Sequence, residues 1–193
     1  MREDTRRWIE GDQAHCWHPF TRQAEWCGRG HEPLVLVRGA GSWLWDSEGR
    51  RYLDGNSSIW TNIHGHAHPA INAAIQEQLG KVAHTSFLGF THPLAGELAE
   101  RLCGFFPERT LERVFFSDDG STAVEVAIKL SLQSFSNRGT PRRLIAALDN
   151  AYHGDTFGAM AASGRGVFTQ MYEPLLFEVA RLPDPSVGDT IAA

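Results

Sequence analysis

Lysine is scarce in this sequence. The 193-residue chain has two, Lys81 and Lys129, and its other basic residues are arginines scattered without a run. With 18 basic against 23 acidic residues the formal net charge is −5. Nucleic-acid binding needs a clustered positive footprint, and none is present, so small-molecule chemistry is the better expectation. Cysteine is sparse too: Cys16, Cys27 and Cys103 are odd in number and contain no C-x-x-C pair, which argues against a disulfide framework and suits a reducing cytoplasm. No run approaches the roughly 18 apolar residues of a membrane span, and the opening MREDTRRWIEGDQAH has no apolar signal core. Neither membrane insertion nor export is indicated.

What is present is enough for a core. A hydrophobic content of 42% over this length suits one domain, or one domain with an extension. Residues 1–33 read as an irregular arm with a short helix near Thr5–Glu10. LVLVRG, SWLWD and RRYLDG follow, separated by glycine-bearing turns, and predict a small antiparallel meander. Trp43, Trp45 and Tyr52 read as packing within it. Pro69 and Pro93 then stand where helices begin, with helical spacing behind each. Apolar segments at Arg113–Ser117 and Arg143–Leu148 flank a helical stretch, Thr122–Phe135, which predicts a β-α-β unit in a parallel sheet.

The stretch VFFSDDGSTAVEVAIKL places Gly120 and Ser121 where a strand hands over to its helix, with Thr122 and Glu125 at capping-box spacing. Outward-pointing amides, the helix dipole and a residue without a Cβ make such a corner suited to a phosphate, although a plain helix cap with no ligand is the more ordinary use. A second corner, Tyr152-His153-Gly154-Asp155, ends the next segment, and strands of one parallel sheet finish on the edge where ligands bind. Tyr152 could lie flat against an aromatic ring, although a tyrosine packed under a loop, with Gly154 serving a turn, is the more ordinary arrangement. His64, His66 and His68 alternate, a spacing compatible with zinc. Alternate histidines in a Gly-Pro loop are more often hydrogen-bonded loop residues, and no metal is expected.

WHPFT (17–21), DGNSSIWTNIHGHAHP (54–69), HTSFLGFTHP (84–93), FFSDDGSTAVEVAIKL and YHGDTFGAM (152–160) together resemble the class III, pyridoxal-phosphate-dependent aminotransferases, in register from about Cys16 to Val179. The resemblance is strongest to the biotin-biosynthesis branch, which acts on 8-amino-7-oxononanoate. It implies an α/β fold of type I: residues 1–60 as arm and meander of a small domain, and 61–193 as the first half of a cofactor-binding large domain built on a mainly parallel sheet. By the same resemblance Gly120 and Ser121 bind the phosphate of pyridoxal 5'-phosphate. Tyr152 stacks on its ring, and His153 and Gly154 shape that loop. Trp60, Phe20 and Ile59 line the substrate pocket. Asp155 is read as a pocket or loop-organising residue, because the family's partner for the pyridine nitrogen comes from a later strand.

Transamination also needs a lysine that forms a Schiff base with the cofactor and moves the proton. Neither Lys81 nor Lys129 matches it, and the resemblance places it beyond residue 193, so no catalytic residue is assigned in this chain. The isolated chain is expected to be inactive, working with a C-terminal half and as a dimer. A non-catalytic remnant or interaction module, or half of another class III ω-aminotransferase, is the alternative. Phe20 and Ile59 stand where members using S-adenosylmethionine commonly carry tyrosine and tryptophan, which favours lysine as donor.

Overall fold

The computed structural model describes residues 1–28, 30–106 and 110–184. The chain divides into two compact units, Met1–Thr91 and His92–Ala193.

In the first unit, helix α1 (Glu3–His15) is longer than the short helix expected from the arm. It carries Glu3 and Asp4 in its first turn, negative charges that oppose the helix dipole. A single-turn helix, α2 (Gln23–Trp26), follows. Asp12 ties the two together, accepting from Trp26 Nε1 at 2.8 Å and from His18 Nε2 at 2.9 Å.

The expected meander is present as β1 (Leu36–Ala40), β2 (Trp43–Asp46) and β3 (Arg51–Leu53), all antiparallel, with a bulge between Leu36 and Arg38. Its aromatic residues serve as packing surfaces. The Arg38 guanidinium lies 4.2 Å from the Trp45 ring and that of Arg51 4.0 Å from Trp43, each a cross-strand cation–π contact. Buried Asp46 organises the β2–β3 turn, taking the Glu48 and Arg50 amides, Arg50 Nε and the Tyr52 hydroxyl. Helix α1 joins this turn through Thr5 Oγ1, which donates to Ser47 Oγ at 2.8 Å, and the Arg2 amide, which donates to Glu48. A short turn, α3 (Ser57–Trp60), leads to α4 (Pro69–Leu79), which begins at the expected proline with His68 as its N-cap.

The second unit opens with α5 (Pro93–Cys103), again on a proline. Residues 113–117 then approach helix α6 (Gly120–Asn137) without joining a sheet among the described residues, so the β-α-β unit expected across 113–148 is not formed. A strand is defined by its ladder bonds, and this segment joins no ladder among the described residues. The parallel pair lies further along the chain: β4 (Ile145–Leu148) pairs with β5 (Val179–Leu182), in register from Ile145 opposite Val179 to Leu148 opposite Leu182. Helix α7 (Phe157–Ala162) lies in the crossover, and its Gly158–Ala162 stretch is buried, forming most of the apolar core. Among the described residues no helix is long and apolar enough to cross a membrane. Residues 185–193, within the tail where the sequence predicts an interrupted large domain, lie outside the described residues.

Candidate functional site

The first candidate corner lies at the start of α6. Asp119 is its N-cap: Oδ1 accepts from the Thr122 amide at 2.8 Å, while Thr122 Oγ1 accepts from the Asp119 amide at 3.1 Å. This reciprocal pair is the capping box, so the Thr122–Glu125 box expected from spacing is displaced by one turn. An aspartate just outside the helix reaches N3 in the required geometry, whereas Glu125 already lies inside the helix. The first-turn amides of Gly120 and Ser121 take no acceptor among the described residues, and a Cβ at Gly120 would point into open space. Two open amides at the positive end of an 18-residue helix, with room in front, form a place where an anionic oxygen can bind.

The second corner is pressed onto the first. The Asp155 amide donates to Ser121 Oγ at 3.0 Å. Gly154, buried with φ +124°, lies so close that a Cβ there would overlap the Ser121 side chain and Cα. One turn further along both segments the arrangement repeats. Gly158 sits over the Glu125 carboxylate with no room for a Cβ, and Glu125 Oε1 accepts from Thr156 Oγ1 at 2.6 Å and from the Gly158 and Ala159 amides at 2.7 and 3.2 Å. Glycines four residues apart thus mesh with Ser121 and Glu125, which a helix places on one face. The Thr156 hydroxyl and then the two amides, outweighing burial, hold the Glu125 carboxyl below its ordinary pKa.

Glu125 therefore caps α7 in place of a residue of its own segment. The other end of α7 receives the opposite charge: Arg181 donates to the Ala161 and Ala162 carbonyls at 2.7 and 3.0 Å, and Arg165 donates to that of Met160 at 3.0 Å. Burial and the neighbouring Arg165 charge lower the Arg181 pKa. The sequence reading singled out neither the Glu125 bridge nor the Gly158 contact. Its available signal was the second glycine of HGDTFG, four positions after Gly154.

Tyr152 leaves this framework exposed, at 71%, and its hydroxyl donates to Asp155 Oδ2 at 2.8 Å. That bond, followed by partial burial, raises the phenol pKa, so the ring stays neutral at ordinary pH. The His153 amide donates to buried Ser163 Oγ at 2.9 Å, fixing the backbone between ring and helix. Five of the expected residues, Gly120, Ser121, Tyr152, Gly154 and Asp155, thus come together at one end of α6, with His153 anchored behind them.

The remaining expected residues belong to the first unit. Phe20 has φ +52° and is 81% exposed. Ile59 and Trp60, 67% and 79% exposed, sit in a left-handed turn: Ser57, Ser58, Ile59 and Trp60 have φ values of 52°, 50°, 59° and 66°. The short turn α3 is thus of the opposite hand to an α-helix, a conformation costing about 1–2 kcal/mol per L-residue. The histidines of the same loop divide their work. His66 bonds Asp54 at 2.7 Å, His68 Nδ1 accepts from the Ile71 amide at 3.5 Å, and the His64 and His68 rings stand 6.1 Å apart. No group of three metal-binding side chains occurs among the described residues.

Residues 27–190 match the family described as Aminotransferase class-III. Among curated proteins, the chain is similar to the adenosylmethionine-8-amino-7-oxononanoate aminotransferase of Geobacter sulfurreducens, 44% identical over 183 residues, covering 94% of this chain and 40% of that protein. It is 48% identical over 177 residues to the protein of the same name from Nitratidesulfovibrio vulgaris, covering 90% of this chain and 32% of the other. Among solved structures, the adenosylmethionine-8-amino-7-oxononanoate aminotransferase of Methanocaldococcus jannaschii superposes with a TM-score of 0.91 at 35% identity, covering 98% of this chain and 43% of that one. An (S)-enantioselective ω-transaminase from Thermomicrobium roseum gives 0.83, also at 35% identity, over 93% and 40% of the two chains. The chain spans about two fifths of the length of most of these relatives.

Proposed function

The chain belongs to the class III aminotransferase family, a family of pyridoxal-phosphate-dependent enzymes with the type I fold, and from that premise we propose that it forms part of an enzyme converting 8-amino-7-oxononanoate to 7,8-diaminononanoate in biotin biosynthesis. The observation that carries the reading is the meshed corner of α6 and residues 152–158, an anion site with an exposed neutral ring beside it, inside a chain 44% identical to a relative of that name. In this reading residues 1–60 serve the small domain and 61–193 the large one. The protein acts in the cytoplasm, as a dimer, together with a segment supplying the catalytic lysine.

The residues present fit the cofactor. The open Gly120 and Ser121 amides would receive its phosphate, and Tyr152 would lie against its ring. When bound, pyridoxal phosphate supplies the electron sink for breaking the bond at the amine carbon. The chain's own contribution is to hold and orient. Asp155 fixes the Tyr152 hydroxyl, Ser121 Oγ holds the Asp155 amide, and His153 and Gly154 set the backbone path between them. Phe20, Ile59 and Trp60 would offer apolar surface to the amine substrate. Phe20 has no hydroxyl for a polar donor and Ile59 no aromatic face for a sulfonium, an attraction worth about 0.5–2 kcal/mol, which favours lysine over S-adenosylmethionine.

In this reading neither lysine of the chain is the catalytic one: Lys129 lies over two turns into α6, and Lys81 pairs with Glu77 at 2.6 Å. The test is to purify the chain alone and joined to a segment carrying a strand-end aspartate and a glycine-flanked lysine. The joined protein is expected to form a borohydride-reducible lysine adduct and turn over 8-amino-7-oxononanoate, with lysine the better donor. The chain alone is expected to do neither, and turnover by it would overturn the proposal. Phe20→Tyr with Ile59→Trp should move the donor ratio towards S-adenosylmethionine.

A further inference from the structure

We propose that Asp54 and His66 are a positioning pair that holds Ser57–Trp60 in its left-handed turn, and that through this turn they set discrimination between amine substrates. The second half of the proposal rests on the reading that Ile59 and Trp60 face the substrate.

Left-handed backbone crowds the Cβ of an L-residue against the following carbonyl, and glycine, which escapes this, is absent from positions 57–60. A β-branched residue such as Ile59 suits it least. Strain of this kind persists only where the surroundings over-determine it, and it clusters at functional positions. Apolar burial does not explain it either, since the turn leaves Ile59 and Trp60 largely in solvent.

The surroundings that hold the turn form a chain of contacts leading back to the meander. Asp54 Oδ1 accepts from the Ser58 amide at 2.9 Å, and Oδ2 accepts from Ser58 Oγ at 2.8 Å. Within the turn the Trp60 amide reaches the Asn56 carbonyl at 2.8 Å, and the Thr61 and Asn62 amides share that of Ser57 at 3.0 Å. His66 Nε2 then donates to Asp54 Oδ2 at 2.7 Å, and the Asp54 side chain is 6% exposed. His66 is itself fixed: its amide donates to the Gly41 carbonyl at 2.8 Å and its carbonyl accepts from the Gly41 amide at 3.0 Å. Its ring lies on Gly39, where any Cβ would collide with it. The Ser58 bonds first, and His66 after them, hold the Asp54 carboxyl below its ordinary pKa, so it is an acceptor at neutral pH. Each link holds the next in place. In series they transmit the position of a sheet edge to two exposed apolar side chains.

The experiment has two independent arms. Amide hydrogen exchange on the chain compares wild type with His66→Ala, His66→Gln and Ser58→Ala. His66→Ala should lose at least tenfold protection at Ser58 and Trp60 while β2 keeps its own, and His66→Gln, which retains a donor, should recover part of it. Ser58→Ala only deletes the hydroxyl that reaches Asp54, so it reports on the turn even if His66→Ala fails to fold; unchanged exchange at Trp60 in this variant would overturn the brace. The second arm uses the chain joined to the lysine-bearing segment and measures kcat/KM for lysine and for S-adenosylmethionine. The pair should act on the ratio, with His66→Ala shifting it at least fivefold and His66→Gln restoring it. Equal losses for both donors mean a merely structural role and reject the specificity claim. Absence of turnover with either donor in the joined wild type rejects the functional reading and the specificity claim with it, while the exchange arm still decides the brace.

Discussion

The turn at 54–66 and the corner formed by 119–125 with 152–159 are each organised by one carboxylate: Asp54 accepts from the Ser58 amide and hydroxyl and from His66, and Glu125 from the Gly158 and Ala159 amides and the Thr156 hydroxyl. They treat the Cβ in opposite ways. At the corner, Gly154 and Gly158 stand where the chain passes closest to α6, so the close approach costs little beyond the entropy of ordering glycine. At the turn, four residues that all carry a Cβ occupy the left-handed region, and the cost is met by hydrogen bonds that a relaxed turn would not make. The corner is a place of fit, and the turn is a place of restraint. Adding a methyl group should therefore damage the first, and removing a side chain should relieve the second.

The largest effect should come from Gly154→Ala. It combines a positive φ with overlap against the Ser121 side chain, and the two penalties together amount to about 3 kcal/mol or more. Urea unfolding should show a lower midpoint at unchanged slope, and an unshifted midpoint would mean the corner is not close-packed. Glu125→Ala comes next. It leaves the Gly158 and Ala159 amides and the Thr156 hydroxyl without their acceptor, a loss of about 2 kcal/mol once partial exposure is allowed for. Glu125→Gln should lose about half of that, because it keeps an acceptor oxygen.

The same carboxylate predicts a pH dependence. Its folded pKa lies below the ordinary 4.5, so its contribution is fully present above that value and is lost as pH falls through the lower, folded one. The difference in Tm between wild type and Glu125→Gln should therefore narrow as pH falls below 4.5, and a constant difference would show that charge plays no part in the cap. The smallest effect sharpens the other side of the comparison. Ser57→Gly should stabilise the chain by about 0.5 kcal/mol, the relief of one left-handed L-residue less the added freedom of glycine when unfolded. Gly substitutions in α4 should do the reverse.

Much of this was legible from residue order alone. Pro69 and Pro93 marked helix starts because proline at the first turn loses no intrahelical bond. The meander followed from alternation between glycine turns. The strand expected at 113–117 was not found, because apolar character predicts an extended segment but not the neighbour that would pair with it. Glu125 was misassigned for a related reason: spacing within a helix is local, whereas its acceptor oxygens serve a segment more than thirty residues away. The turn at 57–60 was the least readable feature. Asn-Ser-Ser-Ile-Trp contains none of the glycine that signals a left-handed backbone, and the restraint comes from Asp54 and His66 on either side of it.

Helix α7 has only six residues, a length of about 9 Å, and it is held by a carboxylate at one end and two guanidinium groups at the other. An ordinary helix frays from its ends inward, one bond at a time. Here neither end can loosen first without separating a charged group from its partners, and no middle is long enough to persist once both have gone. Opening should therefore be a single event, with the Met160 and Ser163 amides exchanging at one shared rate. The loop carrying Tyr152 and Asp155 would then have two states, seated or released, with no graded series between them.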